Sequence, residues 1–383
     1  MIAMRGWRTL ALAGLLMAAS GCGKAPPVTF FDQGQPQTLS QWHVLQVSGR
    51  TLSLNQGVMP YDLNTPLFSD YAHKLRTVWM PAGSHAQYRT GVGLDFPVGT
   101  IISKTFYYPL AEGRDGDRNM VARTDPSQSL LRDEKLDLDK VRLIETRLLV
   151  HRKDGWVALP YVWNEAQTEA VLRREGDLVA LTLVSPQAPT REEVAYQVPD
   201  QNQCAGCHAV NNRSRHIAPI GPKVRHLNRD FDYADGSENQ LAHWARIGYL
   251  QGAPDPARAP RDANSGDATA SLDARARAYL DINCGHCHSN TGAAITSGLH
   301  LDAGGHEGLA RGFCKQPIAA GKGTGNRPYD IVPGKPDESI LLFRMDSDDP
   351  AVMMPELGRS VVHREGVQLI REWIASQHGS CDV

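Results

Sequence analysis

The chain has 383 residues, 41% of them hydrophobic, which suffices for a sizeable core and for two or three domains. Lys and Arg number 40 against 42 Asp and Glu, leaving a formal net charge of −2 and no polybasic block, so nucleic acid is excluded as a partner. The acidic spot at Asp346, Asp348 and Asp349 reads as a solvated loop rather than a docking patch.

The first predicted element is a targeting segment. Arg5 and Arg8 precede the apolar stretch TLALAGLLMAAS, which is shorter than the ~20 residues of a membrane span. It ends in Ala19-Ser20-Gly21-Cys22, which resembles the bacterial lipobox. Residues 1–21 would then be a signal peptide and Cys22 the lipidated N-terminus; a plain cleaved signal peptide is the alternative. Ala19 stands where Leu is usual, and Gly23 rather than Asp follows the cysteine. The resemblance therefore implies a lipid anchor at the periplasmic face of the outer membrane.

Residues 22–195 read as a mostly-β, sandwich-like domain. KVRLIETRLLVHRKDGWVALPYVWN predicts two strands turning at Lys153-Asp154-Gly155, and AVLRREGDLVALTLV a second hairpin turning at Glu175-Gly176-Asp177. DFPVGTIISKTFYYPL adds a strand rich in β-branched and aromatic residues. The region carries no metal cluster, nucleotide loop or nucleophile signature, and its role is not legible.

Two five-residue motifs follow, CAGCH at 204–208 and CGHCH at 284–288. Zinc ribbons space their C-x-x-C knuckles by about 15–20 residues. Here 77 positions separate Cys207 from Cys284, and no βαβ pattern supports a thioredoxin-like role. Covalent haem c accounts for both motifs. Cys204 and Cys207, or Cys284 and Cys287, would anchor the two vinyl groups, and His208 or His288 would be the proximal iron ligand. His286, inside the second pair, reads as an exposed, unligated spacer. With Cys22 assigned to the lipid, Cys314 and Cys381 remain, free to pair as a disulfide in an oxidising compartment.

Around the first motif, assigned to residues 196–265, YQVPDQNQ shows no helical period, so a leading helix is not expected. No methionine lies between Met120 and Met345, which leaves His216, His226, His243 and Lys223 as candidates for a sixth iron ligand. His243 is slightly favoured for its place in the predicted helix SENQLAHWARIGYL. A five-coordinate iron, or a cap from Met59, Met80 or Met120, is also open.

Around the second motif, assigned to residues 266–383, SLDARARAYLDIN predicts a helix capped by Ser271, and VVHREGVQLIREWIASQHG another, with Leu369, Ile370, Trp373 and Ile374 on its apolar face and Gly379 as its stop. Helix, motif, loops and terminal aromatic helix are similar to class I cytochrome c. That resemblance makes Met354, directly before Pro355, the distal ligand, with Met353 its competitor.

The phrases PYDLNTPLFSDYAHKLRTVWMP, YVWNEAQTEA, IGPKVRHLNRDFDY and IVPGKPDESILLFRMDSDDPAVMMPELGR are similar to a family of bacterial lipoprotein dihaem c-type cytochromes with an N-terminal β domain. The resemblance covers nearly the full mature length. It implies a multidomain α+β chain, with the β domain followed by a mostly-α dihaem region and two haem c groups. It also implies electron transfer between periplasmic redox proteins. A haem enzyme, a peroxidase or oxidoreductase working at an open first haem, is the alternative; a binding lipoprotein with secondary haems is the third reading.

Overall fold

A computed structural model describes residues 25–90, 93–186, 190–209, 211–319 and 321–381; the expected signal peptide and Cys22 lie outside them. Six antiparallel strands form the central sheet, in the order Ala170–Leu172, Gly155–Trp163, Val141–Arg152, Ile101–Pro109, His73–Trp79 and Met59–Tyr61. The turn at Lys153-Asp154 falls where expected, with Gly155 at φ +119° closing it.

Side-chain alternation gives the sheet two apolar faces. On one, Ile101, Tyr107, Leu148, Val150 and Leu159 pack against Trp42, Leu45, Leu52 and Leu136, partly from the small sheet Leu45–Ser48, Thr51–Leu54 and Lys135–Asp137. The buried Trp42 Nε1 donates to Tyr161 Oη at 2.7 Å, which satisfies both polar tips. The other face is divided. Phe106, Tyr108, Ile144 and Val162 lie under a third sheet of Met120–Ala122, Asp177–Val184 and Arg191–Val198. Ile102, Leu149 and Ala158 instead share a core with Cys204, Val224, Leu241, Trp244 and Ile282.

Several expectations are overturned. The second predicted hairpin is a crossover: Ala170–Leu172 pairs in the central sheet, whereas Asp177–Val184 pairs with Arg191–Val198 in another. Gly176 makes the turn at φ +78°, and a Cβ there would come within 2.6 Å of the Val198 carbonyl oxygen. The local turn chemistry was right, but it could not say which partner each strand finds.

The mostly-α dihaem region is also not what the chain forms. The structure is 28% strand and 19% helix, and its helices are few and short. Between 196 and 265 run the helices Gln201–His208, Val224–Leu227 and Gln240–Arg246, a ribbon of Asp230–Tyr233 with Gly236–Asn239, and the strand Leu250–Gln251, which pairs in parallel with Ala86–Arg89. Pro199, Pro219, Pro222, Pro254, Pro256 and Pro260 remove backbone donors through this stretch and stop any longer helix. What replaces it is packing on the sheet.

After residue 266 the longer helices are Leu272–Leu280, Ile340–Met345 and Arg364–Ala375. Tyr279, Leu280, Leu342, Ile370, Trp373 and Ile374 form their common core. The terminal helix stops at Ala375 with Ser376 as its cap, so Gly379 lies beyond it rather than at its stop. Cys314 and Cys381 are joined by a disulfide, Cα atoms 5.1 Å apart. Among the described residues no helix is long and apolar enough to cross a membrane.

Candidate functional site: two facing Cys-x-x-Cys-His motifs

The strand Arg191–Val198 ends at Pro199, and Asp200 then caps the helix that carries the first motif. Its carboxylate accepts from Gln203 N at 2.7 Å, and the Gln203 side chain accepts from Asp200 N at 3.0 Å, a closed capping box. The motif itself is the helix, which the sequence pattern did not predict. One turn separates Cys204 from Cys207, so both thiols leave one side and His208 follows at the end. The His208 ring is fixed by its Nδ1, 2.9 Å from Ala218 O. Burial, then the Lys104 charge, pushes the ring down to about pKa 3, so it is a neutral imidazole whose Nε2 could ligate a metal.

The second motif leaves a different scaffold. Ser271 caps Leu272–Leu280 by accepting from Ala274 N at 3.3 Å, as expected, and a π-helical turn, Asp281–Gly285, carries the chain into the motif. His288 N donates to Cys284 O at 2.9 Å. In His288 too the engaged ring nitrogen is Nδ1, 3.3 Å from Ser297 Oγ, and burial lowers the ring to about pKa 4.

The two motifs meet. The Cys287 thiol points to Gly206 O at 3.7 Å, and Asn212 N donates to Thr291 O at 2.7 Å just beyond them. Cys207, Cys284 and His286 line two adjoining cavities at once. The first cavity has the central sheet as its floor, through Ile102, Lys104, Arg147 and Leu149, with Cys204 and His208 at its wall. The second, of about 750 Å³, is lined by His288, Leu299, Leu301, Leu341, Met345 and Met354. A carboxylate ties the halves together: Asp281 Oδ2 lies 2.9 Å from His226 Nε2, 3.3 Å from Lys223 Nζ and 3.2 Å from Arg225 Nε. Burial alone would raise this carboxyl, but the bond to His226 and the two cations hold it well below the usual carboxylate range.

The four motif cysteines are free thiols, and burial raises all of them, Cys284 and Cys287 to about 12. Reactive dithiols have depressed values, so a disulfide-exchange role does not fit. Nor do the thiols converge on a metal: among the described residues, neither group of three or more close metal-ligating side chains includes a cysteine. The donor set suits haem c instead. Each motif holds a thiol pair and a neutral, Nδ1-anchored histidine at the edge of an apolar cavity. The first cavity adds Lys104, whose Nζ has no carboxylate in ion-pair range among the described residues and lies 5.2 Å from the Phe106 ring. An acidic group such as a propionate would match it.

The remaining candidates are spread out. His226 is fully buried in the Asp281 network, His243 stacks on Tyr233 at 3.6 Å and bonds Glu238, and His216 is exposed; none lines the first cavity. Lys223, Met59, Met80 and Met120 do not line it either. Met354 lines both cavities, whereas Met353 is buried and lines neither. Sequence reasoning missed His363, which among the described residues is the one histidine besides His208 and His286 on the first cavity. Its Nδ1 is 2.9 Å from Tyr279 Oη, and its ring stacks on Phe68 at 4.2 Å. It sits at the start of the terminal helix, 155 positions after His208, and no local pattern links the two. Compared with known proteins, the chain matches no family model, no curated protein and no solved structure.

Proposed function

We propose that the protein is a dihaem c-type cytochrome that passes electrons between periplasmic redox partners from a lipid anchor on Cys22. The observation that carries this reading is the contact between the two motifs, which lets Cys207, Cys284 and His286 border both cavities. Haem c, bound at each motif, supplies reversible one-electron iron chemistry. The chain's own contribution follows from its residues. Cys204, Cys207, Cys284 and Cys287 would hold the two groups covalently. His208 and His288, kept neutral by burial and oriented through Nδ1, would ligate iron. Met354 would be a thioether ligand for iron at the second site, where it would favour the ferrous state. Leu299, Leu301, Leu341 and Ile102 exclude water, and Lys104 and Arg147 place positive charge beside the first site.

A second reading, a haem enzyme acting at the first site, draws on one pair. His363 and Tyr279 form a hydrogen-bonded, proton-carrying couple on that cavity. His363 would then move a proton at a bound substrate.

One experiment separates these. The protein is matured with haem c in an exporting host, and haem per chain is counted for wild type, Cys204→Ser/Cys207→Ser and Cys284→Ser/Cys287→Ser. Two haems in wild type and one in each double variant is the expected result; wild type without covalent haem sinks the proposal. Low-spin spectra at both sites support electron transfer, and a high-spin site that binds peroxide moves the protein to the enzyme reading. Cys22→Ser is expected to release the protein from the outer-membrane fraction.

A further inference from the structure

Outside the two cavities, the loop from His300 to His306 brings together two imidazoles and a carboxylate that no part of the proposed function uses. His300, Asp302 and His306 each offer one ligand atom, and these atoms lie within 4.8 Å of one another. Asp302 Oδ1 is 3.1 Å from His306 Nε2, and the two imidazole rings are 4.6 Å apart. His300 Nδ1 is shut off from solvent with no hydrogen-bond partner, and Asp302 Oδ1 and His306 Nε2, equally shut off, have only each other at ion-pair distance and make no well-formed hydrogen bond. Burying polar atoms without hydrogen bonds is costly, and a cation bound by all three would relieve that cost at once.

The loop is held in place before any ion arrives. His300 N donates to Ala310 O at 2.8 Å, and Leu301 N donates to His288 O at 2.8 Å. Ala303 N donates to Asp281 Oδ1 at 3.0 Å, and the buried Arg311 donates to Asp302 O and to His306 O. Gly304 leaves the room: a Cβ there would come 2.7 Å from His306 Nε2 and 2.9 Å from Asp302 Oδ2. The other close trio, His226, Asp262 and Asp281, differs in kind, because Lys223 and Arg225 already neutralise its carboxylates.

We propose that His300, Asp302 and His306 form a binding site for one zinc(II)-class divalent ion, with a fourth position open to water. Two imidazoles and one carboxylate suit a borderline ion, whereas calcium and magnesium prefer all-oxygen sets. The site backs onto the second motif, since a Cβ on Gly285 would meet Asp302 Cα at 2.7 Å. It does not depend on the haem reading.

The test uses full-length protein as matured in the exporting host, stripped with chelator and dialysed against zinc chloride, with bound zinc measured per chain. One saturable zinc is expected. His300→Ala, His306→Ala and Asp302→Asn should each weaken binding about tenfold or more. Gly304→Ala, which keeps all three ligands but puts a methyl group among them, should weaken it too, and His216→Ala, at an exposed histidine, should not. Thermal melting in chelator checks folding, and a rise in melting temperature with zinc is expected for wild type and lost in Asp302→Asn. Absence of stoichiometric zinc in wild type, or unchanged affinity in the folded Asp302→Asn and His306→Ala proteins, overturns the site. Haem content, counted separately, is expected to be the same in all of these variants.

Discussion

The same five-residue pattern occurs twice in this chain, on opposite kinds of support. The first copy is a two-turn helix entered directly from a strand and laid on the face of a β-sheet, with Lys104 and Arg147 beneath it. The second emerges from a π-helical turn at the end of Leu272–Leu280, whose core is shared with the helices Ile340–Met345 and Arg364–Ala375. The five-residue pattern therefore does not specify the architecture that carries it. The sheet-borne site has the cations Arg76, Lys104 and Arg147 on its floor and, among the described residues, no carboxylate in its lining, whereas the cavity at the other is lined by charges of both signs, Lys315, Lys322 and Arg344 with Asp330 and Glu356.

The largest expected effect comes from cutting what joins the two. Asp281→Ala leaves His226, Lys223 and Arg225 without their shared carboxylate, and loss of one partner in a buried pair costs about 3–5 kcal/mol. Denaturant titration of the mature protein should show that drop, and a loss under ~1 kcal/mol would mean the two halves are held by apolar packing alone. Because the folded carboxyl titrates below its unfolded value, its stabilisation is fully present above the ordinary carboxylate range. It is lost as pH falls through the folded value, so wild type should approach the variant's stability in strong acid.

Removing the disulfide tests only the second half. With 67 positions between the cysteines, Cys314→Ser/Cys381→Ser is expected to cost about 2–5 kcal/mol while leaving the first site's spectrum unchanged. Perturbation of both sites would show that the halves fold as one unit.

A matched pair of glycines sharpens the contrast further. Gly285→Ala would put a methyl group 2.7 Å from Asp302 Cα, a backbone atom that cannot step aside, and should cost about 1–3 kcal/mol. Gly206→Ala meets only Leu357 Cδ1 at 2.9 Å, the end of a flexible side chain, and should cost less than ~1 kcal/mol. Equal losses would remove the distinction between a tight second motif and a more yielding first one.

The smallest effect is electrostatic. Burial, with Arg147 and Arg76 nearby, lowers Lys104 to about 7, so it is partly charged near neutrality. Lys104→Gln should lower the midpoint potential of one haem by about 40 mV, equivalent to about 1 kcal/mol, and leave the other within error. Equal shifts at both sites would place the charge between them rather than beneath the first. The wild-type potential of that haem should itself fall as pH rises and Lys104 loses its proton.

Legibility differed by region for physical reasons. The hairpin at Lys153-Asp154 and the helix capped by Ser271 could be read because turn chemistry, capping and period lie within a few residues of each other. The crossover at Gly176 looked the same locally as a hairpin, since strand partners 170–184 are chosen by sheets formed from distant segments. The helix expected in SENQLAHWARIGYL forms as Gln240–Arg246, and its Leu241 and Trp244 share one core with Val224 and Leu227 of a neighbouring helix and with Ile102 and Ala158 of the sheet. His243, placed at the cavity by its apolar neighbours, turns to Tyr233 and Glu238 because a hydrogen bond and a stacked ring are available there.

By itself the sequence determined the presence and spacing of two Cys-x-x-Cys-His motifs, Met354 before Pro355, and two cysteines left to pair. Those are local, covalent-scale facts carried by residue type and spacing. Only the tertiary structure decided that the two motifs touch, that a β-sheet floors one of them, and that His363 joins Tyr279 at its cavity. It likewise gathered His300, Asp302 and His306 into one cluster, through backbone bonds to His288, Ala310 and Asp281. Burial and long-range packing set those relations, and neither has a period that a sequence can display.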